Sequence, residues 1–242
     1  MKKILAVLIA LAMMLIVVSC GTTKPVDDPS KKSEGVMTYE EYAKAELNSK
    51  VTVETYVQDK QSWWDNKATF YTQDLDGAYF LYNMACTEEE YAKLTPGTKI
   101  KVEGYKSEWA GEVEITDATF TILEGKYVAE AKDATALLGK DEIIDKQNQL
   151  VSFKGLTVEA YDETGAAFAY KNAVDKTDDL YFKVSLDGTT YSFCVEFYLR
   201  GKDTDVYKAV ENLKVGDKID VEGFLYWYNG VNPHITKVTV VG

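Results

Sequence analysis

The sequence predicts an all-β chain with short helices, made of two tandem copies of one five-stranded barrel. Three observations carry that expectation. A segment at 94–105 recurs at 213–224 with a constant offset of 119: Leu94, Gly97, Lys99, Ile100, Val102, Glu103 and Gly104 are matched by Leu213, Gly216, Lys218, Ile219, Val221, Glu222 and Gly223. Both segments end on an aromatic residue, Tyr105 and Phe224, and self-similarity at a fixed spacing marks a repeated structural unit. Each copy also carries Asp-Gly between alternating apolar runs, at Asp76-Gly77 and Asp187-Gly188, a strong hairpin signal. Finally, each repeated segment follows a short amphipathic stretch, 87–94 or 203–213, and Thr87 and Glu90 have the spacing of a capping box.

In chain order, the first copy opens with a strand at 51–58. A hairpin follows at 68–73 and 78–82, then a helix at 87–94, the repeated strand, a loop at 106–111 and a last strand at 113–123. The second copy repeats this at 151–161, 180–186 and 189–197, 203–213, the repeated strand, and 235–241. Short helices precede the copies at 38–47 and 141–147. Five strands with a helix between the third and fourth is the order of the OB-fold barrel. Gly104 and Gly223, each closing a Val-Glu-Gly triplet, suit a strand that bends at a barrel corner. Strand alternation directs Val51, Val53, Val57, Ile100 and Val102 inward and leaves Tyr56 and Tyr105 outward.

The N-terminus has the form of an export signal. Lys2 and Lys3 precede an apolar run from 4 to 18, shorter than the roughly 20 residues a membrane span needs. The run ends in Val17-Val18-Ser19-Cys20-Gly21, which resembles a bacterial lipobox with Cys20 as the acylated residue. The expected layout is a lipoprotein signal peptide at 1–19, a flexible tether at 20–37, and OB-fold domains at 38–126 and 127–242. The protein would then sit in the cell envelope, facing outside the cytoplasm, with the membrane as a partner through its N-terminal lipid.

Val53, the run Tyr71-Thr72-Gln73-Asp74-Leu75-Asp76-Gly77-Ala78-Tyr79, and Leu94, Gly97, Ile100, Val102 and Gly104 together resemble the extracytoplasmic OB-fold domains of bacterial lipoproteins. They are similar as well to OB domains that accompany secreted bacterial nucleases. The resemblance covers 51–123 well and 151–241 less well, because the second copy has Ser185 in place of Asp74 and a longer segment after its first strand. It implies a fold and an accessory or free-standing binding module, with no segment left over for a nuclease catalytic domain.

Composition narrows the function classes. The chain of 242 residues has 39 acidic against 27 basic residues, a net charge of −12, one histidine (His234) and one arginine (Arg200). A nucleophile–histidine system has only His234 to use, and a dedicated duplex reader needs arginines and a positive face. The expectation is a binding protein, not an enzyme, with no cofactor. The aromatic residues are the candidate contacts. Trp63 and Trp64 lie between the first two strands of copy one, Trp109 between its last two, and Tyr226, Trp227, Tyr228 and His234 in the corresponding last loop of copy two. Those loops frame the binding face of an OB barrel, and Tyr71 and Tyr79 are candidates for the same face. The alternative for the tryptophans is that one of them folds back as a plug on the barrel end.

Lys60, Lys67, Lys99, Lys101 and Lys106 offer a local basic patch around that cleft. Asp74-Leu75-Asp76-Gly77 reads as a hairpin turn rather than a calcium loop, since the distal glutamate of such loops is missing. Cys86 and Cys194 are either two buried thiols or one bridge. Single-stranded nucleic acid, glycan and protein remain alternative ligands, the acidity favouring the last two. A structural envelope lipoprotein with no small ligand is the competing reading.

Overall fold

The computed structural model describes residues 28–172 and 178–241. The signal segment, Cys20 and the start of the expected tether lie outside the described residues. Helix α1 (Tyr39–Lys44) leads into β1 (Lys50–Lys60), followed by β2 (Lys67–Gln73), β3 (Ala78–Ala85), α2 (Glu88–Lys93), β4 (Thr98–Trp109) and β5 (Glu112–Lys126). These strands close a barrel in the order β1-β2-β3-β5-β4, with β3 and β5 parallel at Phe80↔Glu114 and Leu81↔Ile115.

The second barrel is built from β7 (Leu150–Glu159), β9 (Leu180–Leu186), β10 (Thr189–Val195), α3 (Asp205–Glu211), β11 (Lys218–Phe224) and β12 (His234–Val240). It closes through β7–β9 and through a parallel contact of Cys194 with His234. Two tandem five-stranded OB barrels are therefore the architecture. The very short β6 (Lys132–Asp133) and β8 (Phe168–Tyr170) add to the edges of β7 and β9. Strands of two or three residues carry no readable alternation, which is why the sequence did not announce them.

The repeated leucines, glycines and aliphatic residues have the same physical task in both barrels. Leu94 and Leu213 bury the end of the preceding helical segment, and Ile100, Val102, Ile219 and Val221 fill the two cores. Gly97 and Gly216 adopt φ of 90° and 94°, a conformation natural to glycine. There their N–H groups donate to the carbonyl oxygens of Val57 (2.7 Å) and Val158 (2.8 Å), tying the turn to the first strand. Gly104 and Gly223 sit where the strand register shifts. A Cβ at Gly104 would lie 2.6 Å from Ile115 Cγ2, and one at Gly223 only 2.4 Å from the His234 carbonyl oxygen. Only a residue with no side chain allows the strands to cross so closely.

α1 is fixed at both ends. Thr38 and Glu41 form a complete capping box. At the other end the buried Lys106 ammonium donates to the carbonyl oxygens of Tyr42, Ala43 and Ala45 at 3.1, 2.8 and 2.9 Å, satisfying groups a helix end leaves free. Tyr39 and Tyr42 then pack edge-on against Tyr79, with ring centres 5.6 and 4.9 Å apart.

Two expectations about the first barrel need correction. Tyr56 does point away from the core, but it is buried, because Tyr127 in the segment leaving β5 packs edge-on over it at 5.5 Å. The end of the expected tether, 28–37, is docked. Lys32 pairs with the buried Asp74 and donates to the Glu54 carbonyl oxygen at 2.8 Å, and Met37 bridges to Val53. The other oxygen of Asp74 accepts the N–H groups of Asp76 (2.7 Å) and Gly77 (2.9 Å), so this carboxylate builds the hairpin turn. Cys86 and Cys194 are separate buried thiols. Among the described residues no helix is long and apolar enough to cross a membrane.

Replacing Gly223 with Ala drives a methyl group into backbone, and a loss of about 2 kcal/mol or more is expected. Gly201→Ala meets only ordinary contacts and is expected to change stability by less than about 0.5 kcal/mol. Denaturant unfolding of the two variants checks the contrast.

Candidate functional site: the groove between the barrels

The outer face of β2 and β3, the usual ligand face of an OB barrel, is occupied by the second barrel. Tyr71 on β2 stacks on Phe224 at the end of β11, ring centres 4.5 Å apart, and its hydroxyl bonds His234 Nδ1 at 2.5 Å. His234 stacks in turn on Tyr226 at 4.1 Å, and Tyr226 meets Phe80 edge-on at 5.3 Å. With Leu150 and Leu199 these rings form a third apolar cluster, separate from the two barrel cores.

Polar contacts surround that cluster. Leu150 N–H donates to Gln73 Oε1 (2.8 Å), Trp227 N–H to Glu112 Oε2 (2.9 Å), Asn229 N–H to the Ala110 carbonyl (2.7 Å) and Ser62 N–H to the Tyr198 carbonyl (2.8 Å). The side chains of Gln147 and Asn148 donate to the carbonyl oxygens of Gly111 and Val113. Arg200, the chain's one arginine, pairs with Asp59.

This packing redistributes the candidate residues. Tyr71 and His234 are buried structural members of the interface, and Tyr226 is half-buried there. Trp227 packs on the second core and over Gly111. Tyr79 belongs to the first core, under α1. None of these five rings is among the exposed aromatic side chains, although Tyr226 and His234 reach the lining of the smaller of two hollows along the seam. Trp63 is the plug, half-buried against the first core with its indole N–H donating to the Cys86 carbonyl at 3.0 Å. Trp64, its neighbour, points the other way: the tight turn Asp65-Asn66, both at positive φ, pairs Trp64 with Lys67 and leaves the indole 75% exposed.

Trp64, Trp109 and Tyr228 thus remain available, the last two packed together at 5.3 Å. The structure adds Tyr82 and Tyr198, which sequence reasoning missed. Tyr82 could have been found, since alternation along β3 puts it on the same side as Phe80 and opposite the core residues Tyr79 and Leu81. Tyr198 follows a strand end and carries no such signal.

These rings border two adjoining hollows along the seam between the barrels, which share Gln61 and Tyr82. The larger, about 690 Å³, runs past Trp64, Lys67, Asn83, Phe197 and Tyr198. The smaller, about 260 Å³, is lined by Trp109, Tyr228, Lys171, Asp179, Glu196 and Asn232 among others. The expected basic patch does not form beside them. Lys106 is taken by α1, Lys99 lies 3.7 Å from Glu54, Lys60 donates to the Tyr91 carbonyl, and Lys101 sits near Glu103, so only Lys67 reaches the groove.

The floor is acidic and partly protonated near neutrality. Burial, with Asp179 nearby, pushes Glu196 up to about 7, although the N–H groups of Tyr198 and Leu199 bond its carboxylate. Outside the lining of both hollows, burial raises Glu112 to about 8 and Glu114 to about 7. Burial, helped by Lys171, lowers His234 to about 3, so the imidazole is neutral.

No protein-family model matches the chain, and no curated protein matches it either. Solved structures with related folds include a murine DNA-binding protein bound to double-stranded DNA, at 13% identity and a TM-score of 0.36, covering 79% of this chain and 96% of that one. The HINa domain of Ifi202 in complex with double-stranded DNA is 12% identical with a TM-score of 0.37, covering 80% and 100%. A deletion mutant of the single-stranded DNA binding protein from Thermus aquaticus is 14% identical with a TM-score of 0.26, covering 81% and 95%. At such scores the reading of the site rests on the geometry of this chain alone.

The titrations give the interface a pH dependence. Glu112, Glu114 and Glu196 lie above their ordinary 4.5 when folded. The folded chain therefore holds extra protons above that value, and stability falls as pH rises toward 8. His234 lies below its ordinary 6.5 and acts oppositely, losing stability as pH falls toward 3. Three groups outweigh one across the shared window, so the thermal midpoint is expected to be highest at roughly pH 5 and to decline toward pH 8.5. Glu112→Gln is expected to flatten that decline, as a series of thermal melts across pH would show.

Proposed function

We propose that the chain is a lipid-anchored binding module facing outside the cytoplasm, whose ligand lies in the groove between its two barrels. One observation carries the reading. Of the six exposed aromatic side chains among the described residues, five border the two adjoining hollows: Trp64, Tyr82, Trp109, Tyr198 and Tyr228; only Tyr105 lies elsewhere. Large rings held open in water cost free energy unless a ligand covers them, and each stacking contact on a ring of this kind is worth roughly 1–3 kcal/mol. The apolar run at 4–18 and the Val17-Val18-Ser19-Cys20 sequence support attachment through a lipid on Cys20.

The competing reading, a structural envelope lipoprotein, draws on the many hydrogen bonds that fuse the barrels into one body. The two differ in what the exposed rings do. Titration calorimetry of the full chain against single-stranded DNA, RNA and glycans is expected to find a ligand. Trp64→Ala and Tyr228→Ala are expected to weaken it about tenfold or more each, with Trp63→Ala lowering stability instead. Binding unchanged in both groove variants would contradict the groove. Incorporation of a fatty-acid label that is lost in Cys20→Ala checks the anchor.

A further inference from the structure

We infer that the groove takes an uncharged oligosaccharide and not a nucleic acid, an assignment that rests on the groove reading above. The first argument is charge. In the smaller hollow Asp179 and Glu196 face one cation, Lys171, and that ammonium is already bound to Asp179 at 3.0 Å. In the larger hollow Lys67 is the one charged lining residue. Arg200 is paired with Asp59 and donates to the Leu199 carbonyl. A strand of phosphates brings a negative charge with every nucleotide, and a site for it needs a positive track. Here the phosphates would meet Asp179, the partly protonated Glu196 and no unpaired guanidinium.

The second argument is the polarity of the hydrogen-bonding groups. Asn232 Oδ1 is buried at the smaller hollow and has no hydrogen-bond partner among the described residues. A buried acceptor left without a donor is unfavourable, so it calls for one. Asp179 and Glu196 beside it are also acceptors when ionised. Both carboxylates already accept one bond at each oxygen, from Lys171 and Phe197 N–H and from Tyr198 and Leu199 N–H, so Asn232 Oδ1 is the acceptor left over in a lining that also carries Trp109 and Tyr228. Sugar rings match that pattern: hydroxyls around the edge donate, while the C–H faces lie on aromatic rings.

The third argument is shape. About 260 Å³ falls just under the roughly 300–1,000 Å³ of pockets for drug-sized molecules, the scale of a single ring. The adjoining 690 Å³ extends past Trp64 and Tyr198 and accommodates the units that follow.

The test uses the full chain and named probes: hexaoses of the cello, xylo, malto and chito series, and a 15-nucleotide oligothymidylate, each titrated at about 50 mM and 500 mM salt. The expected result is saturable binding of at least one hexaose with an affinity insensitive to salt. Trp64→Ala should weaken it about tenfold or more. Asn232→Ala should weaken it about fivefold without lowering the thermal midpoint, a combination a purely structural asparagine would not give. Binding of the oligothymidylate that weakens with salt, or no binding of any hexaose at millimolar concentration, overturns the sugar assignment. If the oligothymidylate binds and Trp64→Ala abolishes this, the groove stands and only the ligand class falls. If a hexaose binds equally well to Trp64→Ala and Tyr228→Ala, the groove itself falls, and the assignment with it.

Discussion

A buried phenol sits at the centre of the contact between the two halves of this molecule. Tyr71 projects from the outer face of the first barrel, lies flat on Phe224 of the second, and shares a hydrogen bond with His234. Stacking of this kind contributes about 0.5–1.5 kcal/mol beyond area burial. The hydroxyl and the imidazole are both buried, so leaving either unpaired would cost about 1–3 kcal/mol more. Because burial keeps the imidazole neutral, the contact is a hydrogen bond between neutral groups, with no buried ion to compensate.

That contact decides which surface of the first barrel stays open. An OB barrel standing alone would offer β2 and β3 to its partner, but here the second barrel fills that surface, and the open surface moves outward to the seam. The seam inherits its rings from both barrels: Trp64, Tyr82 and Trp109 from the first, Tyr198 and Tyr228 from the second. Neither barrel has the complete set. The same packing buries Glu112 and Glu196 and raises both carboxyl groups, Glu196 on the lining of the smaller hollow.

The barrels were legible in the sequence because their signals are local. Gly97 and Gly216 are required by backbone conformation, Gly104 and Gly223 by the close crossing of strands, Asp187-Gly188 by a two-residue turn, and Gly77 by the Tyr39 ring against it. The seam was not legible, because its defining bond joins residues 163 positions apart with no pattern between them. One trace was available in the repeat itself. Its last position is Tyr105 in one copy, exposed, and Phe224 in the other, buried, a divergence that becomes meaningful once one copy is seen to cover the other. Trp63 and Trp64 show the same limit at short range. Adjacent residues on a strand face opposite ways, yet the turn at Asp65-Asn66 and the Cys86 carbonyl, not composition, decide which of them becomes the plug.

The groove exists only if the two barrels form one body. Native-state hydrogen exchange tests this directly at Leu150, Trp227 and Asn229, whose N–H groups donate from one barrel to the other. If the seam is locked, these amides exchange about as slowly as the strand amides of β1 and β11, opening only with a large part of the fold. Exchange orders of magnitude faster than in both barrels would mean that the barrels separate freely, and would contradict the account.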